Sequence, residues 1–182
     1  MKYMDWDNMH KNLEALYVLD NAMTDPSKDY LRLIRKEEND SDVRYIIDNG
    51  AGDSLYVIFT QNTVLVKGFA HESSLNQFAA DNWNQNVIDN MYSGLEQELI
   101  NLFPLDERDK TTFFIWYDGK VHQNETEGNN GGRWLLGYAC NTYERFKEFV
   151  EEYYEQIFDN NLLKELYETG RLSDEQRKGL ML

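Results

Sequence analysis

The stretch "DVRYIIDNGAGDSLYVIFTQNTVLVKGF" (42–69) decides the fold class of this chain. Three runs in it have the composition of strands, namely residues 42–48, 55–60 and 63–69. They are separated by the turn-forming segment 49–54 and by the two-residue turn Gln61-Asn62. Because connections this short make neighbouring strands antiparallel, the stretch predicts a three-stranded meander.

The sheet extends beyond this meander. The run from Leu55 to Phe59 is apolar on both faces, which is typical of a central strand. "TTFFIWYDG" (111–119) predicts a fourth strand of the same kind. The polar segment 120–132 predicts a loop whose start can continue as strand, while 133–139 fits either a fifth strand or a helical turn.

Helical periodicity marks both ends of the chain. Apolar residues recur at three- and four-residue steps from Trp6 to Tyr17, and Pro26 ends that helix. The charged segment 30–42 is expected to run over the surface. Further helices are predicted at residues 87–92, 93–103, 142–158, 161–168 and after Ser173. Capping-box patterns predict two of these helix starts, at Ser93/Glu96 and Asn141/Glu144.

Strands in the middle of the chain and helices at its ends indicate the α+β class. We expect an antiparallel sheet of four or five strands, with the N-terminal and C-terminal helices packed mainly on one face. A chain of 182 residues with no low-complexity tract is expected to form a single α+β domain, residues 1–182.

The charge restricts the possible partners. The chain has 33 acidic and 18 basic side chains, so its net charge is −15. This field repels nucleic-acid phosphates and anionic membrane surfaces, and it attracts a basic protein partner. Strong acidity that only maintains solubility is the alternative explanation.

The sequence also indicates a compartment. Cys140 is the only cysteine, so no disulfide can form within the chain. The first twenty residues carry acids within their apolar pattern, unlike a signal peptide, and no apolar run approaches the 18 residues of a membrane span. We therefore expect a cytoplasmic protein.

Several catalytic motifs are incomplete. "GDSL" (52–55) resembles a hydrolase motif, but Ser54 follows a turn and opens a strand, and Asp118–His122 has the wrong spacing to supply the base. His71-Glu72 begins the zinc motif H-E-x-x-H, but position 75 is leucine. "EGNNGGRW" (127–134) lacks the lysine of a phosphate-binding loop. No catalytic residue, cofactor or metal is therefore predicted, and an enzyme is less favoured than a binding protein.

Two regions remain as candidate sites. His71 and Glu72 follow the third predicted strand, where a pocket that also involves Trp83 or Trp116 would suit an enzyme or a small-ligand-binding protein. Ordinary strand-end turn chemistry is the alternative there. The second region is the acidic face of the long C-terminal helix, which is either a solvated surface or a docking surface for a basic partner. Its glutamates are Glu144, Glu148, Glu151, Glu152 and Glu155.

The strings "VLVKGFAHES", "FFIWYDG" and "TYERFKEFVEEYYE" occur in that order along the chain. Together they resemble a family of small acidic bacterial proteins of uncharacterised function. That family is similar in type to the immunity proteins that neutralise secreted toxins. The resemblance implies a small, acidic α+β binding protein and assigns no catalytic residue.

Overall fold

The computed structural model describes residues 5–124 and 130–180. Two compact units divide the chain, one formed by residues 1–35 and 136–182 and the other by residues 36–135. This division does not test the expected single domain, which stays a prediction. None of the described helices combines the length and the apolar character that crossing a membrane requires.

The sheet is a six-stranded antiparallel meander in which the strands follow one another in chain order. The strands are β1 (Ile34–Glu38), β2 (Asp42–Asp48), β3 (Ser54–Thr60), β4 (Val64–Phe69), β5 (Phe113–Tyr117) and β6 (Val121–Gln123). The predicted α+β class is confirmed, and the predicted four or five strands become six.

The additional strand is β1, which lies in the charged segment expected to run over the surface. Ile34 is its only buried residue, so the sequence shows little apolar signal there. Pairing with β2 makes this segment a strand. At the other edge, β6 is the strand extension expected at the start of the 120–132 loop, and Arg133–Tyr138 forms a 3-10 helix rather than a strand.

In the unit formed by residues 36–135, helices α2 (Gln85–Tyr92) and α3 (Gln97–Ile100) cover one face of the sheet. Helix α4 (Leu105–Arg108) follows them and has no buried residue. The core on this face consists of Tyr56, Ile58, Leu65, Ile88, Met91, Tyr92, Phe103, Phe114 and Trp116. The predicted Ser93/Glu96 capping box is wrong, because Ser93 ends α2 and the Glu96 side chain makes no capping bond to α3.

The unit that contains both chain ends is helical, with α1 (Trp6–Met23), α5 (Tyr143–Tyr153), α6 (Asn160–Thr169) and α7 (Asp174–Leu180). Its buried residues include Met9, Leu13, Leu16, Leu19, Phe146, Val150, Leu163 and Leu166. The Ser173 side chain caps α7, since its Oγ accepts from Gln176 N at 3.2 Å while Gln176 Oε1 accepts from Ser173 N at 2.7 Å.

The long C-terminal helix is shorter than predicted. It begins after Thr142, whose side chain makes no capping bond, and the predicted Asn141/Glu144 capping box does not start it. Helix α5 ends at Tyr153, because Glu155 adopts the left-handed backbone conformation with φ 50°. The last residues of the expected 142–158 helix are therefore a turn at 154–155 and irregular chain at 156–158.

Candidate functional site

A histidine–carboxylate pair lies where β4 ends. The Nδ1 atom of His71 is 2.8 Å from Oδ1 of Asp53, and the His71 backbone N–H donates to the same oxygen at 2.8 Å. The Asp53 side chain is 8% exposed and the His71 side chain 44%. An ionised carboxylate accepts hydrogen bonds only, so Asp53 assigns the proton to Nδ1 and leaves Nε2 of neutral His71 as an acceptor.

The turn between β2 and β3 holds Asp53 in place. Asn49 Nδ2 donates to Asp53 Oδ2 at 2.9 Å, and Asn49 Oδ1 accepts from Asp53 N at 3.2 Å. Gly52 adopts the left-handed φ of 95°, which favours glycine, and it lies against the His71 ring, since a Cβ there would be in ordinary contact with the ring at 3.5 Å. Burial raises the pKa of Asp53, but the hydrogen bonds from Asn49 and His71 outweigh it and hold that pKa below its usual value.

The pair opens into a cavity of about 440 Å³, within the size range of small-ligand sites. Glu72 lines the same cavity, and its Oε1 is 3.8 Å from His71 Nε2. The other residues that line it are Ala70, Ser73, Ser74, Asn130, Gly132 and Trp134. This set supplies a proton acceptor, a second carboxylate and an indole ring to one small space.

The structure does not bring the two predicted tryptophans to this cavity. Trp116 is buried in the core and stacks on His122, with ring centroids 4.8 Å apart and planes 1° apart. His122 Nε2 in turn lies 2.8 Å from Asp118 Oδ1, a second histidine–carboxylate pair on the β5–β6 hairpin. Trp83 is 45% exposed and packs edge-on against Phe78.

The predicted acidic face on α5 is only partly available. Glu144, Glu148 and Glu152 are exposed and four residues apart, and none of them forms an ion pair among the described residues. Glu151 instead pairs with Lys147 at 2.5 Å and accepts from the backbone of Phe158. Glu155 lies beyond the end of the helix.

A buried lysine lies on the strand that leads to His71. Lys67 is fully buried, its Nζ donates to the carbonyl of Lys110 at 2.6 Å, and it lies 4.7 Å from the centroid of the Tyr56 ring. Burial lowers the pKa of Lys67 to about 7, and the negative charge of Glu107 opposes that shift. Lys67 does not line the His71 cavity.

Sequence reasoning overlooked Asp53 because it treated "GDSL" only as a possible serine motif. The register of the β3–β4 hairpin could have indicated that Asp53 lies beside His71. The turn at Gln61-Asn62 sets the β3–β4 register at Ser54 opposite Phe69. One further residue along each strand places Asp53 opposite Ala70 and therefore beside His71.

Among residues 5–124 and 130–180, no group of three or more His, Cys, Asp or Glu side chains is arranged to hold a metal ion. Comparison of the chain with protein-family models, with curated proteins and with solved structures found no match. A functional proposal therefore depends on the geometry and charge of the residues described above.

Proposed function

We propose that this protein is an acidic binding module whose partner is a basic protein. The observation that carries the proposal is the row of exposed glutamates on α5 that pair with no cation in the described part of the chain, Glu144, Glu148 and Glu152, on a chain of net charge −15. Residues four apart on a helix share one face, so the three carboxylates form one stripe.

Repulsion within the stripe destabilises helix α5, which carries it. Like charges at this spacing destabilise a helix by about 0.2–0.5 kcal/mol per pair. A basic surface that covers the stripe would relieve this repulsion, and the long-range field would speed the encounter in a salt-dependent way. The partner that we propose first is a secreted basic toxin, which the chain neutralises in a bacterial cytoplasm.

The test is affinity capture from the organism that encodes the chain, with the parent and a variant that carries Gln at positions 144, 148 and 152. A matched control variant has the same change of net charge at exposed glutamates elsewhere, Glu96, Glu98 and Glu175. We expect one basic protein to be held by the parent and the control, to be released by salt, and to be lost from the α5 variant.

The circular dichroism spectrum of each variant controls for loss of folding, because Glu144 lies in the first turn of α5, where a negative charge favours the helix. Equal capture of the basic protein by the parent, the α5 variant and the control variant would show that α5 is not part of the interface. Capture of acidic proteins only would contradict the proposal as a whole.

A second candidate function is supported by the Asp53–His71 pair. An imidazole whose Nδ1–H is held by a carboxylate presents Nε2 as a proton acceptor, which is the arrangement of a general base or of a ligand-orienting residue. The cavity of about 440 Å³ would admit a small molecule with a hydroxyl or ammonium donor.

This second function is tested by a thermal-shift screen of small metabolites on the parent, on His71→Ala and on His122→Ala. The His122 variant removes the other histidine–carboxylate pair and serves as the control. A ligand of this site raises the Tm of the parent and of His122→Ala but not of His71→Ala. If no compound separates the His71 variant from the other two, the pair is structural.

A further inference from the structure

Three aromatic rings form a partly exposed cluster, which we name the aromatic cluster: Phe69, Phe78 and Trp83. The Phe69 and Phe78 centroids are 6.3 Å apart and the Phe78 and Trp83 centroids 5.1 Å apart, both edge to face. Phe78 is 58% exposed and Trp83 45%. Large aromatic side chains at a surface are the residue type that most often carries binding energy at protein interfaces.

The segment that carries these rings is fixed, although it has little regular structure. Asn76 Nδ2 donates to the carbonyl of His71 at 2.7 Å, and its Oδ1 accepts from Phe78 N at 3.0 Å. Buried Gln77 accepts from Asn84 N at 2.9 Å. Binding at such a surface requires little ordering of the chain, so more of the contact energy appears as affinity.

Carboxylates adjoin the aromatic cluster through one amide side chain. Trp83 Nε1 donates to Gln85 Oε1 at 3.0 Å, and Gln85 Nε2 donates to Asp89 at 3.1 Å and to Asp109 at 3.4 Å. Neither aspartate forms an ion pair among the described residues.

The cations next to Asp109 in the sequence are engaged elsewhere. Lys110 pairs with Glu107 at 2.6 Å, and Arg108 Nε donates to the carbonyl of Phe103 at 3.0 Å. The carboxylates beside Trp83 are therefore available to a cation from outside the chain.

We propose that the aromatic cluster, together with Asp89 and Asp109, binds an arginine side chain of the basic partner. A guanidinium is planar, stacks on an indole face and donates in a fork to carboxylates, so it matches both parts of this surface. A lysine ammonium matches the charge but not the planar stacking. The inference rests on the proposed function, because it names one further surface that contacts the basic partner and the partner side chain that it holds.

The probe is a hexa-arginine peptide, with a hexa-lysine peptide for comparison. Binding is measured by calorimetry at low salt and by the indole N–H resonances of the ¹⁵N-labelled protein. The variants are Trp83→Ala, Asp89→Asn and the α5 variant with Gln at positions 144, 148 and 152. Trp134→Ala is the matched control, since Trp134 is a similarly exposed tryptophan that lines the His71 cavity instead.

We expect hexa-arginine to shift the Trp83 indole resonance and to bind more tightly than hexa-lysine. Trp83→Ala weakens hexa-arginine binding about fivefold, which is the upper end for a partly exposed cation–π contact. Asp89→Asn weakens it about twofold, as expected for one exposed ion pair, and Trp134→Ala leaves it unchanged. The exposure of Trp83 allows its variant to fold, which the circular dichroism spectrum verifies.

The outcomes that would contradict the arginine site differ from the outcome that would contradict the proposed function. If hexa-arginine binds the parent and Trp83→Ala equally well, the aromatic cluster is not the arginine site, although an acidic binding module remains supported. If removal of the α5 glutamates weakens the peptide while Trp83→Ala does not, the site lies on α5. If neither peptide binds the parent at low salt, the proposed function fails as well.

Discussion

The buried Lys67 makes a quantitative prediction about stability and pH. Burial lowers its pKa from 10.5 to about 7, and a shift of this size corresponds to roughly 5 kcal/mol as an upper bound. Between these two values the unfolded lysine binds a proton that the folded lysine has released. The unfolded state therefore binds more protons, and the free energy of unfolding rises with pH through this window.

The perturbation is Lys67→Met, which keeps the length of the side chain and removes the charge. We expect the variant to be more stable than the parent at pH 7 by about 1–4 kcal/mol, the range found when buried ionic groups are replaced by apolar ones. The lost hydrogen bond to the Lys110 carbonyl reduces that gain by about 1 kcal/mol.

The assay is urea unfolding followed by circular dichroism at intervals from pH 7 to about pH 9.5. Over this range the free energy of unfolding of the parent should rise by about 3 kcal/mol relative to that of Lys67→Met. Lys120→Met, at an exposed position on the β5–β6 hairpin, should follow the parent. Parallel curves for the parent and Lys67→Met would show that Lys67 stays protonated in the folded state and would refute this reasoning.

Three further predictions concern packing and capping, and each is measured as a change in the free energy of unfolding. Gly68→Ala should destabilise the fold by about 1–3 kcal/mol, because a Cβ there would lie 1.9 Å from a ring carbon of Phe113; an unchanged midpoint would mean that the ring moves freely. Tyr154→Phe should cost about 1.5–3 kcal/mol, since it removes the 2.6 Å bond that the hydroxyl donates to buried Asp20; a neutral effect would show that water replaces the hydroxyl. Ser173→Ala should cost about 1 kcal/mol through loss of the α7 cap, and no change would show that α7 is held without it.

Around β4, the sequence pattern predicts the strands and their register, whereas the packing of side chains between strands is seen only in the structure. Alternation and short turns in 42–69 predict the meander, and the register follows from the two-residue turn. The pattern does not explain why residue 68 is a glycine. In the structure Gly68 lies within β4, and the Phe113 ring on β5 leaves no room for a side chain there.

The candidate site, too, was predictable from the sequence only in part. His71 and Glu72 were identifiable as polar residues at a strand end, and the glutamates of α5 by their four-residue spacing. The partner of His71 was not, because Asp53 is 18 residues away along the chain and becomes its neighbour only through strand pairing. The grouping of Trp83 with Asp89 and Asp109 likewise depends on the bridging contacts of Gln85.

By itself the sequence determined the α+β class, the antiparallel meander, the helices at both ends and the strong negative field. These features follow from hydrophobic period, turn chemistry and charge, which act between residues close together in the chain or over the whole molecule. Tertiary structure alone decided that "IRKEE" (34–38) is a strand, that Lys67 is buried and that Asp53 orients His71. Each of these depends on a specific neighbour distant in sequence, and such contacts exist only after the chain has packed.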